Sequence, residues 1–231
     1  MSSTIIYFIR PLSSSSPMNK WRIVHVCLYL VALGGCFSAI LPFYHFKAAF
    51  EGWCPLYADV VVEQLNDSYQ FVLDISYENR TVWGSMAICD FCLFTPVVCF
   101  IYAFVWGWFF FLCSGNGRLG IWEPWRLIVP AAIFTLVTAI VMFVAATLMT
   151  QGMMKFCEGF HRNNLGGCST VQYLNCSTFT KLHGFYYTQL RSEISIWIGA
   201  FAWGIGSLAL FIRCCYGADF KHPLPKDEDF V

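Results

Sequence analysis

Four long apolar stretches, residues 23–43, 86–112, 127–154 and 194–212, alternate with two longer polar connections and one short one. Each stretch reaches the ~18 residues needed to cross a bilayer as a helix. Hydrocarbon offers no partner for backbone N–H and C=O groups, so each stretch must close its hydrogen bonds internally. The pattern predicts an α-helical membrane protein, a four-span antiparallel helix bundle. Residues 1–22 precede the bundle, 23–212 hold it with its loops, and 213–231 form a tail. In the connection 46–85, Tyr69, Phe71, Leu73, Ile75 and Tyr77 alternate with Gln70, Val72, Asp74, Ser76 and Glu78. This is the two-residue period of a strand with one buried face. Val60, Val61 and Val62 make a second candidate strand, and residues 170–174, in the connection 155–193, a third. A small antiparallel extracellular β-sheet is therefore expected to stand on the bundle. The short connection carries Ser114-Gly115-Asn116-Gly117, a turn cluster that makes spans two and three antiparallel neighbours.

Composition removes the soluble alternatives. The chain is 58% hydrophobic and only 12% charged, where a soluble domain carries about a quarter charged residues. Its formal net charge is zero, so no basic field exists to attract nucleic acid. Where the charges fall orients the spans. With both termini cytosolic, the inner segments hold Arg10, Lys20, Arg22, Arg118, Arg126, Arg213, Lys221 and Lys226, against Lys47, Arg80, Lys155, Arg162, Lys181 and Arg191 in longer outer loops. Three Asn-x-Ser/Thr sequons, at Asn66, Asn79 and Asn175, all fall on the outer side of that assignment. Ser13 to Ser16 and Pro17 interrupt the place where a cleavable signal needs an apolar core, so the first span is expected to direct insertion into the secretory pathway and on to the plasma membrane.

Topology sorts the cysteines. Cys54, Cys89, Cys157, Cys168 and Cys176 lie on the side where disulfides form. The first-choice pairs are Cys54 with Cys89 and Cys157 with Cys168; a pairing of Cys176 with Cys157 or Cys168 stays open. Cys27, Cys36, Cys92 and Cys99 read as small apolar residues. Cys113, Cys214 and Cys215 stand at the inner boundary, where palmitoylation is possible, and the adjacent Cys214 and Cys215 are the candidates. Span four carries Gly199, Ala202, Gly206 and Ala209 on one stripe, a helix-packing face. Pro96 and Pro130 are expected to kink or cap their spans locally.

Little in the chain points to chemistry. Cys89-Asp90-Phe91-Cys92 places a C-x-x-C at the outer end of a span, as a membrane thiol oxidoreductase would, but no second exchanging pair accompanies it. His25, His45, His161, His183 and His222 are scattered, so no metal site and no cofactor is expected. Asp90, Lys155, Arg191 and Glu193 sit near outer span ends, within reach of water, so no conduction path or proton relay is apparent. The terminal Asp229-Phe230-Val231 has the form of a PDZ-domain ligand.

Four spans, inner termini and a long first outer loop with strand character resemble the claudin and peripheral myelin protein class. The Trp-Gly-Leu-Trp stretch of claudins is missing. The chain is more similar to the transmembrane protein 179 family, through Gly52-Trp53-Cys54-Pro55-Leu56 after span one, Cys89 opening span two and Phe110-Phe111-Leu112-Cys113-Ser114-Gly115 closing it. Cys157 after span three, Phe185-Tyr186, and Trp197 with Ala202-Trp203 in span four continue the likeness, which runs over about residues 18–216. Cys176 beside the third sequon departs from the family's pattern. The resemblance implies a claudin-like fold in the bilayer. Related tetraspans that regulate glutamate receptors and calcium channels suggest by analogy a non-catalytic accessory subunit of a larger receptor or channel. The alternatives are a cell-adhesion or junction protein and, more remotely, a membrane thiol oxidoreductase.

Overall fold

The computed structural model describes residues 17–64, 70–73, 81–113, 125–179 and 182–215. Four long helices occupy the four apolar stretches: α1 (Pro17–Ala49), α2 (Met86–Cys113), α3 (Trp125–Arg162) and, last in the chain, α5 (Phe185–Cys215). α2 and α3 run unbroken through Pro96 and Pro130. α1 packs against α2 and α5, α5 against α3, and α3 more lightly against α2, closing a four-helix ring.

Three helices overrun the apolar stretches at the end that carries the sheets. α1 continues to Ala49, α3 to Arg162, and α5 begins at Phe185 rather than 194. Lys47, Lys155, Arg162 and Arg191 end the hydropathy runs, but the helices persist because one face of each extension stays apolar. Phe46 on α1 and Phe50 just past its end, and Phe156 and Phe160 on α3, are spaced four apart and buried, as is Phe185 on α5. The connection expected over 155–193 thus shrinks to 163–184.

Between α1 and α2 lie β1 (Cys54–Asp59), β2 (Val62–Gln64), β3 (Gln70–Leu73) and β4 (Val82–Gly84). α4 (Cys168–Val171) and β5 (Asn175–Cys176) lie between α3 and α5. They form two sheets rather than the single one expected. β1 pairs antiparallel with β4, with a shift of register between Cys54↔Gly84 and Asp59↔Val82. β2 pairs antiparallel with β3, and β3 pairs parallel with β5, matching Phe71 to Cys176. Of the expected buried face, Phe71 and Leu73 are buried; Tyr69, Ile75 and Tyr77 lie outside the described residues. Val60 and Val61 precede β2 rather than belonging to it.

Residues 170–174 are not a strand. Cys168 is bonded to Cys157 at the end of α3, which draws this segment against the helix. Its backbone turns locally, Gln172 N–H bonding to the Cys168 carbonyl at 3.1 Å. Gln172 itself is buried; its Nε2 donates to the Ser169 carbonyl at 3.0 Å and its Oε1 accepts from Tyr187 N–H at 3.3 Å, fixing the turn to α5.

Candidate functional site

The part of the molecule with the most built structure outside the spans is the sheet unit, and four contacts fix it to the bundle. Two are covalent. Cys54, opening β1, is bonded to Cys89 in the first turn of α2 (Cα–Cα 5.8 Å), and Cys157 on α3 to Cys168 on α4 (5.2 Å). Beside the first bond, Lys47 of α1 pairs with Asp90 of α2.

The third contact is the projecting end of α3, on which β1 lies. A Cβ at Gly152 would stand 2.9 Å from Leu56 and Tyr57 side-chain atoms, and one at Gly159 would stand 2.3 Å from Val60 Cγ2. Two glycines seven residues apart on one helix face therefore make the trough that receives the strand. At its end, Arg162 Nη1 donates to Asp59 Oδ1 at 3.0 Å, and Asn163 Nδ2 donates to the Val60 carbonyl at 3.0 Å. The fourth contact is an aromatic core. Phe50 meets Phe156, Phe179, Trp83 and Phe185 with centroids 5.5–6.2 Å apart, and Phe71 of β3 meets Phe160 at 6.0 Å. Such edge-to-face pairs contribute about 0.5–1.5 kcal/mol each beyond their burial. Sequence reading missed this core; the four-residue spacing of Phe46/Phe50 and Phe156/Phe160 was its available signal.

What the unit presents outward is aromatic. Trp53 stacks on Trp83 (5.8 Å, 20°) and is half exposed, with Val82 exposed beside it in β4. On the other side Tyr173 Oη donates to Tyr187 Oη at 3.2 Å, a bond that holds the Tyr173 phenol above the ordinary tyrosine range.

Within the bundle, the α5 stripe faces α1. A Cβ at Gly35 would stand 2.8 Å from Gly199 N and 3.0 Å from the Ser195 carbonyl, so the two backbones are nearly in contact. Ala202 and Gly206 are buried and Ala209 is half-buried, and around Gly206 a Cβ would meet nothing within 4 Å. One turn from the crossing, Ser192 Oγ donates to the Ala39 carbonyl at 2.8 Å. On the opposite side of α5, facing α3, Trp197 Nε1 donates to Thr150 Oγ1 at 3.1 Å and Thr150 Oγ1 donates to Glu193 Oε1 at 2.8 Å.

The remaining candidates are dispersed. Asn175 is exposed in β5; Asn66 and Asn79 lie outside the described residues, as does the 216–231 part of the tail with its PDZ-type terminus. Cys176 is a free, buried thiol. Cys214 is half-buried and Cys215 exposed at the end of α5. Cys92 does not face Cys89: its thiol is buried and directed at the Ala145 carbonyl of α3, 3.7 Å away. Among the described residues, no group of three or more His, Cys, Asp or Glu side chains is gathered as a metal ion requires.

Four membrane-length helices with strands inserted between the first two define a claudin-like tetraspan, a multi-pass protein of the lipid bilayer. The family model described as Transmembrane protein 179/179B Claudin domain matches residues 21–226, and the chain belongs to that family. Comparison with curated proteins and with solved structures gives no significant match.

Proposed function

We propose that this protein is a non-catalytic accessory subunit of a larger membrane receptor or ion channel. The observation that carries the reading is the rigid coupling of a sheet unit to a four-helix bundle. Two disulfides, a glycine trough and a shared aromatic core make one body of parts inside and outside the membrane. A body of that kind engages a partner's ectodomain and its transmembrane helices together, so that binding outside is felt inside.

The orientation that fits this role puts both termini in the cytosol and the sheets outside, at the plasma membrane. Asn66, Asn79 and Asn175 then carry glycans, Cys214 and Cys215 accept acyl chains at the inner boundary, and Val231 is offered to a PDZ protein. The half-exposed Trp53 and the exposed Val82 and Tyr173 favour a second reading, in which the sheet unit meets a copy on an apposed cell. Mixing two separately labelled populations of expressing cells separates the two. An accessory subunit leaves contacts between like cells at the level of non-expressing controls; enrichment of the protein at those contacts supports adhesion instead.

A further inference from the structure

The seam between α3 and α5 holds a carboxylate in a place where carboxylates are costly. α5 is 31 residues long, about 45 Å at 1.5 Å per residue. A hydrocarbon layer about 30 Å thick centred on it begins about 8 Å from each end. Glu193 stands eight residues in from Phe185, about 12 Å, and so falls about 4 Å inside the layer. α1 gives a consistent depth. Ser192, the neighbour of Glu193, bonds to Ala39, which is eight residues deeper than the Lys47 that pairs with Asp90. Glu193 is half-buried; Ile194 and Ile198 on α5 and Met154 on α3 are exposed and apolar, as lipid-facing positions are, and Arg191, two residues nearer the sheets, is exposed as well.

Glu193 is held in that position. Thr150 donates to it, and the Trp197 indole in turn donates to Thr150, so the carboxylate is fixed on the seam. One oxygen accepts a hydroxyl; among the described residues no lysine, arginine or histidine lies within ion-pair distance of either oxygen. Gln151, exposed and next along α3 from Thr150, accepts from Tyr57 Oη of β1 at 3.4 Å. Ionisable side chains at membrane depth pair with an opposite charge or mark a contact. This one is oriented, half-buried and, among the described residues, without an opposite charge beside it.

We infer that the α3/α5 seam at Glu193 is the docking site for a partner's transmembrane helix that carries a lysine or arginine near its sheet-side boundary. Charge complementarity selects that occupant: the seam offers a carboxyl group held by Thr150, and a basic side chain at that depth gains a partner it lacks in lipid. The inference deepens the accessory-subunit reading, on which it rests, by naming the face used and the chemistry of the partner helix.

The test uses the full-length protein in liposomes, with donor-labelled protein and acceptor-labelled transmembrane segments read by energy transfer. The segments are a poly-leucine helix, the same helix with one lysine a turn inside its boundary, and one with glutamate at that position. Wild type is expected to bind the lysine segment about tenfold more tightly than the all-leucine segment. Glu193→Gln, which still accepts from Thr150, is expected to lose that preference. Glu193→Lys is expected to transfer the preference to the glutamate segment. Equal binding of lysine and leucine segments by wild type, or an unchanged lysine preference in Glu193→Gln, overturns the inference. A native receptor or channel that co-purifies equally with wild type and Glu193→Gln leaves the accessory reading standing and removes only this face.

Discussion

Replacing Gly35 with alanine tests the bundle's tightest contact. The added Cβ would stand 2.8 Å from Gly199 N, 3.0 Å from Gly199 Cα and 3.0 Å from the Ser195 carbonyl. All three are backbone atoms, so no side chain can rotate away, and α1 and α5 must part until the contact becomes an ordinary one. Forced overpacking of this kind costs about 1–3 kcal/mol. Separation also lengthens the 2.8 Å bond from Ser192 to the Ala39 carbonyl, and an interhelical hydrogen bond in a membrane contributes about 0.6 kcal/mol. The expected loss is about 2–3 kcal/mol. At about 2–4 °C per kcal/mol for a chain of this size, the midpoint of thermal unfolding falls by roughly 5–10 °C. Gly34→Ala is the internal control. It sits on the exposed side of α1, where an added Cβ meets nothing within 4 Å, and alanine is the better helix former by up to about 1 kcal/mol. The assay is the fraction of full-length protein that stays monodisperse in mild detergent after heating. A Gly35→Ala midpoint within about 2 °C of wild type, or an equal loss in Gly34→Ala, would refute the close crossing.

Other expectations are as direct. Removing the Cys54–Cys89 bond, which closes 35 residues, should cost about 4 kcal/mol on the chain-entropy account, against about 3 kcal/mol for Cys157–Cys168, which closes 11; the heating assay should rank the two double alanine variants in that order. Cys176→Ser should leave both bonds in place, which peptide mapping without reduction will read; a new pairing of Cys168 in that variant would contradict the connectivity. Gly159→Leu should displace β1, since even its Cβ overlaps Val60, and limited proteolysis should then cut within the sheet unit while the spans remain intact. Asn175→Gln should lose one glycosidase-sensitive mobility step, and a Cys214→Ala, Cys215→Ala double variant should lose acyl-exchange labelling.

The four spans are legible in the sequence because each is a local property: about twenty consecutive residues without a charge in the interior. The helix extensions are not, because charged residues on one face mask the apolar stripe of Phe46, Phe50, Phe156 and Phe160 on the other. Phe71 and Leu73 announce themselves by alternation. β1 does not, since Pro55 and Ala58 break any strand pattern, and what holds it in place is a trough made by Gly152 and Gly159 about a hundred residues later. The reading of 170–174 as a strand failed for a related reason: a disulfide and a buried glutamine set that backbone, and neither is a matter of local propensity. Gly199 and Ala202 were visible as a packing stripe, whereas their counterpart Gly35 became apparent only when the two helices were brought together. Glu193 reads from the sequence as a residue near a span end; that it also sits on the α3/α5 seam follows from its bond with Thr150, 43 residues away in the chain.

The measurement that bears most directly on the accessory role is purification of the tagged protein from native membranes in mild detergent, with quantitative mass spectrometry of what stays bound. The account predicts recovery of one larger receptor or channel in fixed stoichiometry, and recovery of the protein alone or only as its own oligomer would contradict it.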